Sequence, residues 1–295
     1  MNVGLLVPAT ATTGDLAEIA RQVEAHGFDS IWIPEHPVIP FGFRTQVPGG
    51  GQLPEHYNRW HDPFVALTVA ATATKKIKLA TGILLLPERE PLITAKQVAS
   101  LDCYSSGRVM LGVGAGWLKE ETEVMGTSFR VRWKRLRETV EAMRVCWTQA
   151  EPKYEGELVR FPAVHCEPKP VQKSGPPILL GAHGPKAAER IARFADGLCP
   201  LVDSPATLKN VYVDPARKLA REAGRNSDGW QISPFVDAEG GNLSEDKLKQ
   251  YRDAGATRVV LFSQPMATEI ANGKGLEWIK RNAPVVERAQ KVSSK

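Results

Sequence analysis

The chain has 295 residues (32.3 kDa), 42% hydrophobic and 24% charged, ordinary globular values that exclude a disordered or fibrous chain. At this size about 74% of the unfolded surface is buried on folding, so a core forms without disulfides or structural metal. With 38 Lys and Arg against 33 Asp and Glu the net charge is +5, below the concentrated patch that marks nucleic-acid binding but compatible with an anionic small ligand.

Cys103, Cys146, Cys166 and Cys199 are widely spaced and form no C-x-x-C, so neither a zinc site nor a disulfide framework is expected. No apolar run approaches a membrane span, and Met1 leads into Gly4-Leu5-Leu6-Val7, which reads as a strand rather than a signal peptide. The expectation is a cytoplasmic protein with no membrane or nucleic-acid partner.

In chain order, Val3 to Val7 predicts a strand, and Leu16, Ile19, Ala20 and Val23 fall at helical spacing before Gly27. Phe28 to Pro34 is the second strand. A polar Gly/Pro-rich loop, 37–61, precedes a helix from Asp62 to Thr74. Ile77 to Leu86 is the third strand, and Pro91 opens a helix through Cys103. Val109 to Val113 is the fourth strand; Leu136, Val140, Met143 and Trp147 mark the next helix. The stretch of about 150–177 reads as an insertion carrying a hairpin. Strands follow at Ile178 to Gly181, Gly197 to Val202, Ile232 to Val236 and Arg258 to Phe262. Between them lie helices from Pro185 to Ala195, from Pro205 to Ala223 and from the Ser244 cap to Gly255. The last helix, Leu276 to Gln290, is expected to break at Pro284.

Eight strand–helix units without an internal repeat predict an α/β fold, a (β/α)8 TIM barrel in one domain over 1–295 with an insertion before strand five. A doubly wound sheet is the alternative. In a barrel, function gathers at the carboxyl ends of strands. His36, ending strand two, suits proton transfer or support of a cofactor ring, and equally a cap on loop carbonyls. A metal role for Glu35, His56, His61 and Asp62 lacks ligand spacing on one element, so no metal is expected. Gly82 inside strand three marks either a bulge beside a ligand or relief of crowding. Gly112-Val113-Gly114-Ala115-Gly116-Trp117 is not a dinucleotide fingerprint, and offers only a thin backbone. Gly181-Ala182-His183-Gly184-Pro185-Lys186 is an anion site at a helix start or an ordinary turn. Arg130, Arg132, Lys134, Arg135 and Arg137 read first as a solvated face, and alternatively as contacts for a polyanionic ligand tail or a neighbouring subunit.

Taken together and in order, Phe28 to His36, Thr81 to Pro87 with Pro91, Leu101 to Val109 on to Gly116-Trp117, Gly181 to Gly184, and Ala195-Asp196-Gly197 resemble the luciferase-like oxidoreductase family. The resemblance spans nearly the whole chain, is weakest from about Pro205 onward, and is closer to the F420-dependent branch than to the flavin monooxygenases. It implies a TIM barrel, a homodimer, a small organic substrate, and coenzyme F420 (8-hydroxy-5-deazaflavin) or, alternatively, FMN. It further implies His36 as proton donor beside the ring. Glu35 joins His36 as the other implied catalytic residue, at a position where some relatives carry Asp.

The cofactor-binding residues it implies are Thr81, Gly82 and Ile83, with a cis peptide between Gly82 and Ile83, then Gly114, Ala115 and Gly116, then Gly181, Ala182, His183 and Gly184. Trp117 departs from relatives that carry Glu there. The loop 37–61, with Phe41, Phe43, Tyr57 and Trp60, would wall the substrate side as a lid. The implied activity is hydride transfer between reduced F420 and the substrate. The alternatives are an FMNH2- and oxygen-dependent monooxygenase, a non-catalytic flavin- or deazaflavin-binding protein, and a phosphate-handling isomerase or lyase, which would leave the strand-three and strand-four glycines unused.

Overall fold

Short apolar runs covered on both faces pair as parallel strands, because only helices packed on the sheet can shield them. The computed structural model, which describes residues 1–237 and 243–293, shows this arrangement. The strands β1 (Asn2–Leu6), β2 (Ser30–Ile33), β3 (Lys78–Leu85) and β4 (Val109–Gly114) lie side by side, with every residue of β2 and β4 buried. A short antiparallel hairpin, β5 (Tyr154–Glu155) and β6 (Arg160–Phe161), occupies the expected insertion. Next come β7 (Ile178–Leu180), β8 (Gly197–Leu198), β9 (Gln231–Ile232), β10 (Phe235–Val236) and β11 (Arg258–Leu261). The main sheet has nine strands in the order β10-β11-β1-β2-β3-β4-β7-β8-β9, paired in parallel throughout.

The sheet is strongly curled. Its two edge strands, β9 and β10, are separated in the chain only by Ser233 and Pro234, and Leu201 bridges to Phe235 beside them. The single strand expected over Ile232 to Val236 is therefore two pieces, because Pro234 has no N–H to give a ladder.

The helices are α1 (Leu16–Ala25), α2 (Pro63–Ala73), α3 (Pro91–Ser105), α4 (Lys119–Val124), α5 (Arg132–Thr148), α6 (Ala187–Phe194), α7 (Pro205–Thr207), α8 (Asp214–Glu222), α9 (Glu245–Asp253), α10 (Gln264–Glu269) and α11 (Gly275–Ser293). A π-helical stretch, Leu208–Val213, joins α7 to α8, so the expected helix over 205–223 is continuous but locally wide. Side chains cap the starts: Asp15 accepts from the amides of Ala17 and Glu18, Asp62 from Phe64 and Val65, and Ser244 from Lys247.

Three differences from the sequence reading stand out. The helices α4 and α10 were not expected. The last helix also runs through Pro284 instead of breaking there. Proline removes one backbone bond, to the carbonyl of Lys280, and both residues lie on the exposed face where water takes its place. No described helix is long and apolar enough to cross a membrane.

One close approach sets the geometry of the site. A Cβ on Gly112 would lie 2.3 Å from the Thr81 carbonyl, so β3 and β4 come together there only over glycine. The Thr81 hydroxyl donates to the Gly112 carbonyl at 2.7 Å across the same contact.

Candidate active site

The register of β3 on β4 slips by one residue just beyond that contact. Thr81 pairs with Leu111, but the next partners are Leu84 and Val113. The slip falls on the Gly82–Ile83 peptide, which is cis. A Cβ on Gly82 would sit 3.2 Å from Trp32 and Phe235, so the bare backbone packs directly on both side chains. Glu35, two residues past β2, secures the far side of the slip. Its Oε2 accepts from the Leu85 amide at 2.7 Å and its Oε1 from Arg89 Nε at 2.7 Å. Arg89 Nη2 also donates to Glu35, and to the α2 cap Asp62 at 2.6 Å. Both Glu35 oxygens are thus committed within the protein.

His36 points into an aromatic enclosure, with the rings of Tyr57, Trp60 and Trp117 centred 5.6, 5.4 and 5.8 Å away. Its Nδ1 lies 2.6 Å from Glu121 Oε2, and the two side chains are 5% and 0% exposed. Beneath them the Glu88 carboxyl accepts from Thr122 Oγ1 at 2.8 Å, while its Oε2 is buried without a hydrogen-bond partner. Burial first, and the Glu121 charge second, push Glu88 up to about 8. The adjacent Glu120 accepts from the Arg44 and Thr45 amides and the Thr45 hydroxyl, which bring it down to about 2 and tie loop 37–61 to α4. Within that loop Trp60 Nε1 donates to His56 Nδ1 at 3.1 Å, and burial pushes His56 down to about 4, keeping it a neutral acceptor.

Two adjoining cavities, of about 780 and 230 Å³, open over the slip and share Gly82, Ile83, Trp117, Gly181 and His183. The larger runs past Ala115 and Gly116 to Arg130, Arg132 and Arg190. Arg132 stacks 3.6 Å over Phe129 and Arg190 3.9 Å over Trp133. Arg132 donates only to the carbonyls of Gly116 and Phe129, and burial followed by the charge of Arg190 lowers its proton affinity. None of the three arginines forms a salt bridge among the described residues. At Ala182, His183 and Gly184 the backbone amides have no protein acceptor among the described residues, just ahead of α6. Such free amides could receive an anion.

The smaller cavity is mainly apolar, walled by Leu6, Tyr57, Cys199, Phe235 and Phe262.

The structure gathers His36, Glu35, Gly82, Ile83, Ala115, Gly116, Gly181, His183, Tyr57 and Trp60 around these cavities. Thr81 instead turns its hydroxyl to Gly112, and Gly114 lies under Ile83, where a Cβ would meet Ile83 Cδ1 at 2.1 Å. Ala182 is buried behind the amide turn and Gly184 adopts φ 83° within it. Phe43 reaches only Trp117, at 6.3 Å, and Phe41 is fully solvent-exposed and lines neither cavity. Glu121, Glu88 and Arg190 were not singled out from the sequence. Leu118, Glu121 and Thr122 are buried at helical spacing, and that period was the available signal. Of the basic run, Arg130 and Arg132 line the cavity, whereas Lys134 pairs with Glu157, Arg135 with backbone carbonyls and Arg137 with Glu141.

Residues 1–254 match the luciferase-like monooxygenase family model. An uncharacterized protein of Mycobacterium tuberculosis is 38% identical, over 90% of this chain and 92% of its own length. An F420-dependent glucose-6-phosphate dehydrogenase of Nocardia farcinica is 32% identical, over 72% of this chain and 61% of its own. Among solved structures, an F420-dependent secondary alcohol dehydrogenase in complex with an F420–acetone adduct superposes with a TM-score of 0.72 at 22% identity, covering 95% of this chain and 98% of that one. The FMN-bound oxygenating constituent of 3,6-diketocamphane monooxygenase from Pseudomonas putida superposes with a TM-score of 0.63 at 21% identity, covering 80% and 66%.

The buried Glu88 has a measurable consequence. Its folded value, about 8, lies above the ordinary 4.5, so the folded chain holds a proton that the unfolded chain has lost between those limits. Stability present at acid pH is therefore lost as pH rises through that window. Glu88→Gln keeps the neutral form and should stabilise the protein by on the order of 3 kcal/mol at pH 8.5, and little at pH 4.5. Urea unfolding at both values measures this. An equal effect at the two pH values contradicts a neutral Glu88.

Proposed function

The chain belongs to the luciferase-like monooxygenase family, and from that premise we propose that it is an oxidoreductase using reduced coenzyme F420 to reduce a small organic substrate. The fold is read with it as a (β/α)8 TIM barrel in one domain over 1–295, with the insertion ahead of its fifth strand, β7. A single hydrophobic core reaching from Val3 to Val292 supports that reading.

The observation that carries the proposal is the pairing of a glycine-floored cleft with arginines that form no salt bridge among the described residues. A flat tricycle needs a floor without side chains, which Gly82, Gly116 and Gly181 provide. Its phosphate would meet the amides of Ala182, His183 and Gly184, and a longer polyanionic tail would meet Arg130, Arg132 and Arg190. The positive charge extends past the phosphate turn, which favours F420 over FMN. The N. farcinica relative's F420 dependence points the same way.

When bound, the reduced deazaflavin supplies a hydride. The chain's own residues do the rest. The apolar cavity holds the substrate and excludes water, with Tyr57 and Trp60 closing it from the loop side. His36 supplies the proton at Nε2, while Glu35 keeps the β3 slip in place. The second reading, an FMN-dependent monooxygenase, is supported by the FMN-bound neighbour of like fold. A non-catalytic carrier would bind the same coenzyme and never consume it.

Fluorescence titration with F420 and with FMN separates these readings. F420 should bind more tightly, and Arg132→Ala or Arg190→Ala should each weaken it about tenfold while changing FMN affinity little. Preference for FMN, or arginine variants that bind F420 normally, would overturn the assignment. His36→Ala should lower turnover by about a hundredfold or more and alter F420 affinity less than about threefold; unchanged turnover removes it from the chemistry. We further propose a homodimer through the outer face of α2 and α3, where Val65, Val69, Ile93 and Tyr104 are exposed. Light scattering should give twice the 32.3 kDa chain mass, and a monomer at working concentration would refute it.

A further inference from the structure

We propose that Glu121 is a positioning residue that fixes His36 as its Nδ1–H tautomer, leaving Nε2 to exchange a proton with the occupant of the cleft. Glu121 is fully buried on α4, and such a carboxylate persists only with partners. Among the described residues it has two. The Val38 amide lies 3.4 Å from Oε1, and His36 Nδ1 lies 2.6 Å from Oε2.

An ionised carboxylate only accepts, so the short contact places the proton on Nδ1. His36 Nε2 has no protein partner among the described residues and is not sealed from solvent, unlike the Nε2 of His56. The surrounding rings of Tyr57, Trp60 and Trp117 leave the imidazole little freedom to turn.

The neighbouring charges are consistent with this assignment. Glu35 is neutralised by Arg89, and Glu88 is protonated at neutral pH, so Glu121 is the anion that His36 meets. Arg130 and Arg132 line the same cleft. The backbone of α4 holds the carboxylate in register through Thr122, which bonds Glu88 at 2.8 Å and the Leu118 carbonyl at 3.1 Å. Release of a proton from Nε2 of the imidazolium leaves a neutral ring still donating from Nδ1 to Glu121, and solvent returns the proton. The carboxylate changes neither charge nor partner through that cycle.

The proton-delivery role rests on the redox reading of the cleft; the tautomer does not. The test is therefore made on the cofactor-free protein, by ¹⁵N-detected NMR of its six histidine side chains at alkaline pH, with His36 assigned by its loss in His36→Gln. The wild type should show His36 protonated at Nδ1. Glu121→Met, which offers no acceptor, should move the ring toward the Nε2–H form by about threefold or more in tautomer ratio. Glu121→Gln, which can still accept through its carbonyl, should retain the Nδ1–H form. A wild-type ring protonated at Nε2, or a ratio unmoved in Glu121→Met, overturns the proposal. If Glu121→Met does not fold, the wild-type ring decides alone. A separate F420 and FMN titration of the same samples keeps the two ideas apart: failure of both to bind defeats the redox reading and leaves the tautomer result standing.

Discussion

The site depends on one carboxylate at the corner where three elements meet. Glu35 follows β2, yet its oxygens hold the Leu85 amide at the end of β3 and, through Arg89, the Asp62 cap of α2. A strand whose register has slipped loses ladder partners for the residues in the slip, and an unpaired buried amide is expensive. Glu35 supplies the missing acceptor at Leu85 and so lets the chain keep the displaced backbone of Gly82 and Ile83 under the cleft. Arg89 offsets the buried charge and is itself held by Asp62 and Gln97 as well. Removing Arg89 leaves the buried Glu35 charge unpaired, which costs far more than the pair contributes.

The periodic features of the fold were legible because they repeat. Val3 to Val7, Phe28 to Pro34 and Ile77 to Leu86 announce strands through unbroken apolar runs, and Asp15, Asp62 and Ser244 mark helix starts through side-chain oxygens that reach the first amides. What escaped was short or decided by surroundings. α4 has six residues, Lys-Glu-Glu-Thr-Glu-Val, and reads as a solvated acidic stretch. α10 is equally brief and passes into a π-helical stretch, Ile270–Lys274. Pro284 signals a break in any local reading, but tertiary packing of Val285, Val286 and Ala289 holds the helix together across it.

Within the site, backbone-determined positions were readable and partner-determined ones were not. Glycines in strands and just beyond their ends declare close approach, and Gly82, Gly116 and Gly181 all lie on the cavity wall. His36 declares itself by its position at a strand end. Glu121 does not, because its meaning comes from a residue 85 positions earlier that only the fold brings within 2.6 Å. Arg190 is similar: alone it is a helix-surface cation, and it becomes informative only beside Arg132, with Trp133 beneath it. Phe41 shows the converse error. An aromatic in a loop at the mouth suggests a wall, yet side-chain direction in an irregular loop follows no period, and this one faces solvent.

The wall of the cleft carries charges of both signs, Arg130, Arg132 and Arg190 on one hand and the carboxyl groups near His36 on the other. Arg130, Arg132 and Arg190 form no salt bridge among the described residues, and Arg190 lies close enough to Arg132 to lower its proton affinity. Of the carboxyl groups near the histidine, Glu35 is offset by Arg89, Glu88 holds its proton at neutral pH, and Glu121 is the anion that His36 meets. Like charges brought together by folding destabilise the protein, and an anion bound at these arginines would relieve part of that cost. Glu121 beside His36 would oppose an anion placed there, whereas Glu35 would not, because Arg89 already offsets it. An anionic cofactor bound as proposed would therefore set its charge against the arginines and its ring across Gly82 and Ile83, beside His36.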